Sequence, residues 1–144
     1  MDALELLKAD HKKVKDLFEQ AEDAEGSQLE KICQQIKSEL EIHSHIEETI
    51  FYPAMEKYGE LKEMVQESRA EHQEIKKLLQ ELSSDGDEIE SNLEELSETV
   101  EYHAEEEEEG KMFPKILELV DRQELERIGD QLEAAKGQIQ RKAG

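Results

Sequence analysis

The chain has 144 residues, which argues for one domain with enough length to bury a sizeable core. Its 39 Asp and Glu against 18 Lys and Arg give a formal charge of −21, a field that repels the phosphate backbone of nucleic acids and anionic membrane surfaces. Apolar residues are 35% and charged residues 40% of the chain, a balance seen in disordered proteins, but sustained apolar periodicity marks this one as folded.

The first predicted helix carries Leu4, Leu7, His11, Val14 and Phe18 at spacings of three and four, one face meeting a bundle seam. His11 stands where an apolar residue is expected. After Gly26, Ser27 and Glu30 form a capping-box pattern, and a second stripe runs Leu29, Ile32, Ile36, Leu40, His43, Glu47, Ile50, Ala54. Cys33 lies beside Ile32 on this apolar side and is expected in the core. Gly59 is a plausible stop; the third stripe reads Leu61, Val65, Ser68, His72, Ile75, Leu79, Leu82 and ends at an SSDGD turn. Asp87 with Glu90 suggests a capped fourth start, with Ile89, Leu93, Leu96, Val100, His103 and Glu107 in line. A last stripe, Leu125, Ile128, Leu132, Ala135, Ile139, contains Gly129 and Gly137, so a shorter, looser fifth helix outside the bundle is expected.

The pattern nearly repeats. His11 to His43 is 32 residues and His72 to His103 is 31, while His43 precedes Pro53 by 10 and His103 precedes Pro114 by 11. Two similar helical hairpins packed into one all-α four-helix bundle follow, with residues 1–120 as the bundle and 121–144 as an additional C-terminal helix packed on it. The N-terminus, MDALELLKADHKK, has no basic stretch followed by an apolar run, and no segment approaches the roughly 18 apolar residues of a membrane span. With a single cysteine excluding an intrachain disulfide, the expected location is cytoplasmic.

Burying an unpaired charge costs several kcal/mol, so four His and two Glu on the inner faces of four helices need a common explanation, and a metal site supplies one. Neutral imidazole and carboxylate suit iron, zinc and manganese, and a helical bundle can place ligands from facing helices around two ions. His43 and Glu47, four apart, share a helix face. There is no HExxH, CxxC, Gly-rich phosphate loop or nucleophile elbow, and the Glu-x-x-His pair of ferritin-like bundles is absent.

These residues resemble the hemerythrin-like HHE cation-binding domains, whose pattern is H…HxxxE…H…HxxxE. The pattern reads here as His11, then His43-Ser-His-Ile-Glu47, then His72, then His103-Ala-Glu-Glu-Glu107. The flanking IFYP at Ile50 to Pro53 and MFPK at Met112 to Lys115 extend the similarity, which covers the chain to about Pro114. The resemblance implies an up-down-up-down bundle holding two non-haem iron ions with an oxo or hydroxo bridge, His as terminal ligands, and two Glu bridging both metals. Oxygen-carrying hemerythrins have a further His four residues after the first on the third helix, and a shorter Asp bridge on the fourth. Lys76 occupies that position here, so that ligand is missing, which favours chemistry with peroxide, oxygen or nitric oxide over reversible oxygen carriage.

The implied function is to bind, reduce or sense such a small oxidant, with catalase-like or peroxide-reducing activity one form of it, and with the small molecule as the partner of a monomer or weak homo-oligomer. An iron or redox sensor whose bundle is ordered by metal, and a metal-free acidic interaction bundle, are the alternatives. His45, about 200° round the helix from His43, is expected on the surface or behind the ligands, as is Glu48; Glu41, Glu105 and Glu106 belong to the solvated face. Tyr102 precedes a ligand His, and Tyr52 and Tyr58 lie toward the end of the second helix; any of the three could approach the metal site through its hydroxyl, but a Tyr there is more often a packing residue with a solvated tip.

One residue is left over. Counting forward from His103 the second carboxylate is Glu107; counting six back from Pro114, as Glu47 lies six before Pro53, it is Glu108. Phe113, Ile116 and Val120 are out of step with Val100 and His103 by the same residue, and a π-bulge absorbs one. A bulge between His103 and the carboxylate turns Glu108 inward, whereas a later one at Gly110 keeps Glu107, and the glycine favours the later position. Pro53 and Pro114 are expected to kink or end their helices just beyond this layer.

Overall fold

The structure, a computed structural model, describes residues 1–82 and 88–143, the last two as backbone only. The SSDGD turn and the Asp87 cap therefore lie outside the described residues. Helix α1 (Ala3–Glu22) opens on a capping box: Asp2 accepts the Glu5 N–H at 2.9 Å while the Glu5 side chain accepts the Asp2 N–H. Helix α2 (Gly26–Ile46) starts two residues earlier than the Ser27 box requires; Glu25 is its N-cap and makes no side-chain capping bond, while Gly26 turns the chain at a φ of 59°.

Helix α2 runs on into a π-helical turn (Glu47–Phe51) and a short α3 (Tyr52–Met55). After a 3-10 turn at Gly59–Leu61 comes α4 (Lys62–Leu82), and α5 (Ile89–Glu101) continues as a π-helix (Tyr102–Met112) into α6 (Phe113–Leu119). Four rods result, alternating in direction: α1 pairs with α2 and α4 with α5, and the α1–α5 and α2–α4 seams close the bundle. Both prolines sit in the first turn of the α-segment that follows a π stretch, where the missing N–H costs little, so neither rod ends there.

The expected stripes face inward, but they form two apolar clusters rather than one. Val14, Phe18, Ile36, Leu40, Ile75, Leu79, Leu93 and Leu96 fill the loop end shared by α1–α2 and α4–α5, with Cys33 partly buried at its edge. Leu7, Phe51, Tyr52, Met55, Leu61, Val65, Phe113 and Ile116 fill the other end. A layer of buried histidines and carboxylates separates them.

Helix α7 (Arg122–Ala143) is neither short nor loose. It runs for 22 residues and packs Leu125, Ile128 and Leu132 into the second cluster beside α1 and α2. Gly129 is a close-approach residue: a Cβ there would lie 2.3 Å from the Met1 carbonyl oxygen, against backbone that cannot swing away, whereas at Gly137 it would meet nothing within 4 Å. Gly129→Ala is therefore expected to destabilise the protein by about 1–3 kcal/mol as an overpacking change, and Gly137→Ala to stabilise it by about 0.5–1 kcal/mol as a helix-propensity gain, both read from denaturant midpoints. Equal and positive shifts would refute the close docking. Among the described residues no helix is long and apolar enough to cross a membrane.

Candidate metal centre

Each rod brings one imidazole to the polar layer: His11 from α1, His43 from α2, His72 from α4 and His103 from the second π-helix. Glu47 joins from the first π turn and Glu108 from the second π-helix, both with no exposed surface. In the second rod the backbone is α-helical to Ile46, so His43 and Glu47 share a face at a spacing of four. In the fourth rod the π pattern already begins at Tyr102, so the face is shared at a spacing of five, and Glu108 takes the inward place.

Glu107, the carboxylate favoured by counting forward, is not brought into the layer. It turns out to Lys111 at 3.1 Å and to Tyr102. The extra residue is absorbed before the carboxylate, and Gly110 serves a different end: a Cβ there would lie 2.9 Å from the Glu105 carbonyl oxygen inside the π-helix.

Among the described residues, two sets of side chains offer ligand atoms within 4.8 Å of one another. One is His11, His43, Glu47 and Glu108; the other is Glu47, His72 and His103. Glu47 belongs to both, its Oε1 lying 3.2 Å from His43 Nε2 and 3.0 Å from His72 Nε2. Glu108 also spans them, with Oε1 3.1 Å from His11 Nε2 and Oε2 3.5 Å from His103 Nε2.

The outward nitrogens explain why all four Nε2 atoms face in. His43 Nδ1 is held by Asp10 at 3.0 Å, His72 Nδ1 by Glu48 at 3.1 Å, His103 Nδ1 by Glu71 at 2.6 Å and His11 Nδ1 by Glu109 at 2.7 Å. The four pairs run round the bundle in one direction, α1 to the second rod, second to α4, α4 to the fourth, fourth back to α1. A ring whose Nδ1–H donates to a carboxylate presents a bare lone pair at Nε2, the form in which imidazole binds a metal.

Those lone pairs then converge on carboxylate oxygens and on each other, with His72 Nε2 only 3.1 Å from His103 Nε2. His11 Nε2, His43 Nε2, Glu47 Oε2 and Glu108 Oε1 are buried without a hydrogen-bond partner of sound geometry, short as some of their separations are. Acceptors facing acceptors need a cation between them, so bound metal fits this donor set.

Without metal, protons take that role. Burial pulls the His43 imidazole down, but the Glu47 charge and the Asp10 hydrogen bond outweigh it and raise it to about 10. His11 and His103 are raised in the same way, against burial, by Glu108 and Glu109 on the one and by Glu108, Glu47 and Glu71 on the other. Glu47, which burial would push up, is held well below the ordinary carboxylate range by His43, His103 and His72.

Of the three tyrosines whose hydroxyl could approach the site, Tyr52 is the one brought into the layer, rather than packing with a solvated tip. It is fully buried, and its hydroxyl donates to Glu108 Oε2 at 2.6 Å while lying 3.1 Å from His72 Nε2 and 3.4 Å from His103 Nε2. The π turn puts it there: the Tyr52 N–H bonds the Glu47 carbonyl five residues back, so Tyr52 stacks under Glu47. Phe113 bonds the Glu108 carbonyl in the same way and lies stacked 6.3 Å from His11, so the repeat carries a hydroxyl on one side of the cage and none on the other. Burial and the Glu108 and Glu47 charges push the phenol well above its usual range, keeping it protonated. Tyr102 is 53% exposed and Tyr58 half-buried.

His45, Glu41, Glu105 and Glu106 are exposed as expected. Lys76 points away from the layer and pairs with Glu48 at 2.9 Å. The Cys33 thiol, pushed up by burial and the Glu30 charge, belongs to neither set.

The family model of the hemerythrin HHE cation binding domain matches residues 2–116. Among solved structures, a hemerythrin HHE cation binding domain-containing protein from Mycobacterium kansasii, an Rv2633c homolog, is similar over 96% of this chain and 86% of its own, with a TM-score of 0.85 and 26% identity. No curated protein sequence matches. With four histidines and two glutamates gathered by four rods, and a family model covering most of its length, the chain belongs to the hemerythrin HHE cation-binding domain family.

Proposed function

We propose that this cage holds two non-haem iron ions and that the protein binds, reduces or senses a small oxidant such as oxygen, hydrogen peroxide or nitric oxide. The observation that carries the reading is the sharing of carboxylates: Glu47 lies in both donor sets and the two oxygens of Glu108 face different ones, as bridges between adjacent ions would. Imidazole and carboxylate together suit iron, and two such ions supply adjacent one-electron centres with positions open to a small ligand.

The chain's own residues supply the rest. An enclosed cavity of about 20 Å³ adjoins the four histidines and is walled by Val14, Leu40, Ile75, Val100 and Ala104, room for about one water-sized molecule against apolar walls. That size supports a ligand of two heavy atoms, as oxygen, hydrogen peroxide and nitric oxide all are. Tyr52 holds a proton at its hydroxyl between Glu108 and His72, within the layer of donors, where a reduced oxidant would need one.

The test is the metal content of protein purified anaerobically from iron-replete cells, with optical spectra before and after oxygen or peroxide. About two irons per chain and a new visible or near-ultraviolet band on oxidation are expected. Protein that carries no metal and whose helicity ignores added iron would overturn the reading and leave an acidic interaction bundle.

A further inference from the structure

Of the four carboxylates that orient the histidines, three keep contact with solvent: the side chains of Glu48, Glu71 and Glu109 are 22%, 23% and 30% exposed. Asp10 differs. Its side chain is 5% exposed, and one oxygen, Oδ2, takes the His43 Nδ1–H, which leaves Oδ1. That oxygen is covered by Lys136 Nζ, in close ion-pair contact, reaching in from α7 across 126 residues of sequence. A carboxylate this buried stays ionised and correctly turned only when both oxygens are partnered.

We infer that Lys136 is a positioning residue of the metal centre, holding Asp10 so that Asp10 can orient the His43 imidazole toward the ions, which makes α7 part of the site rather than a cover for the bundle. The inference rests on the proposed metal site and adds to it a residue outside the matched stretch 2–116. The chain of contacts is Lys136 to Asp10 Oδ1, Asp10 Oδ2 to His43 Nδ1, and His43 Nε2 to the Glu47 side chain. The imidazole it orients, His43, belongs only to the donor set of His11, His43, Glu47 and Glu108, so its loss should weaken one ion position and spare the His72–His103 side.

The experiment titrates metal-free protein with Co2+ in competition with a chelator, following the visible Co2+ absorption, for the wild type, Lys136→Met, Lys136→Arg and Leu132→Ala. For Lys136→Met the expected result is one Co2+ equivalent weakened about 10–100-fold with a changed spectrum, the usual scale for a lost outer-shell partner, and the other equivalent unchanged. Lys136→Arg restores most of that affinity by supplying the charge again. Leu132→Ala, which loosens the buried α7 contact without touching the ion pair, lowers the melting temperature and leaves Co2+ affinity alone.

The sign separates this role from bulk charge: removing a cation from a chain of net charge −21 should by itself tighten cation binding, not weaken it. Unchanged or tighter Co2+ binding by Lys136→Met, or a Leu132→Ala protein weakened to the same degree, overturns the inference. A wild type that takes up no Co2+ overturns the site reading and this inference with it.

Discussion

Glu108→Gln is expected to cripple uptake of the metal pair, while Glu107→Gln, one residue away in a run of five glutamates, leaves it within about two-fold of wild type. The difference comes from the helix type. With π pairing from Tyr102 onward, the residue five after His103 shares its face, so Glu108 is buried with its two oxygens toward His11 and His103, and Glu107 pairs outward with Lys111. An amide at 108 removes a charge that spans both donor sets and replaces an acceptor with a donor aimed at an imidazole. The affinity loss should therefore be at least the 10–100-fold that an outer-shell carboxylate costs, affecting both ions. Isothermal titration with Fe2+ or Co2+ on both variants decides it. If Glu107→Gln proves the damaging change, the π-helix does not begin before the carboxylate and the register drawn for the fourth rod is wrong.

The same register shows what the sequence could and could not disclose. Apolar spacing of three and four is a strong signal over a 20-residue helix, so all four rods and their inward histidines were legible, and so was a leftover residue near His103. Where the extra residue is absorbed was not, because a π turn and an α turn leave the same composition, and Gly110 fits inside a π-helix as well as after one. Tyr52 could not be singled out from Tyr58 and Tyr102 for a related reason: an α-helix in the second rod would carry it off the Glu47 face, and nothing there advertises the π turn that brings it back. The outer carboxylates were hidden by abundance, since any acid among 39 reads as solvated surface. A signal did exist. Asp10 and Glu71 directly precede His11 and His72, and Glu48 and Glu109 directly follow Glu47 and Glu108, so in each rod one inward residue has an acidic neighbour aimed at the imidazole of the next rod round the bundle.

Metal-free protein should lose stability as pH rises over a range in which metal-loaded protein does not. In the metal-free form His11, His43 and His103 have raised values, so they bind protons more tightly folded than unfolded. Their contribution to stability is complete below about pH 6.5, the unfolded value, and is lost as pH climbs through the folded values, toward about 10 for His43. Asp10, Glu47, Glu48 and Glu109 are lowered, so their contribution is present above the ordinary carboxylate range and is lost as pH falls through their folded values. Metal-free protein is therefore most stable between about pH 5 and 6.5 and weakens toward pH 9. Metal binding demands the neutral imidazoles, so it displaces those protons and gains affinity over the same rise in pH. Each proton displaced contributes up to about 1.4 kcal/mol per pH unit, so three histidines make a steep dependence. Melting curves at pH 6 and pH 9 should show the metal-free midpoint falling while the gap between loaded and metal-free protein widens. A metal-free midpoint that holds or rises to pH 9 would mean that the histidines are already neutral in the empty cage, and that the converging lone pairs are tolerated there without protons.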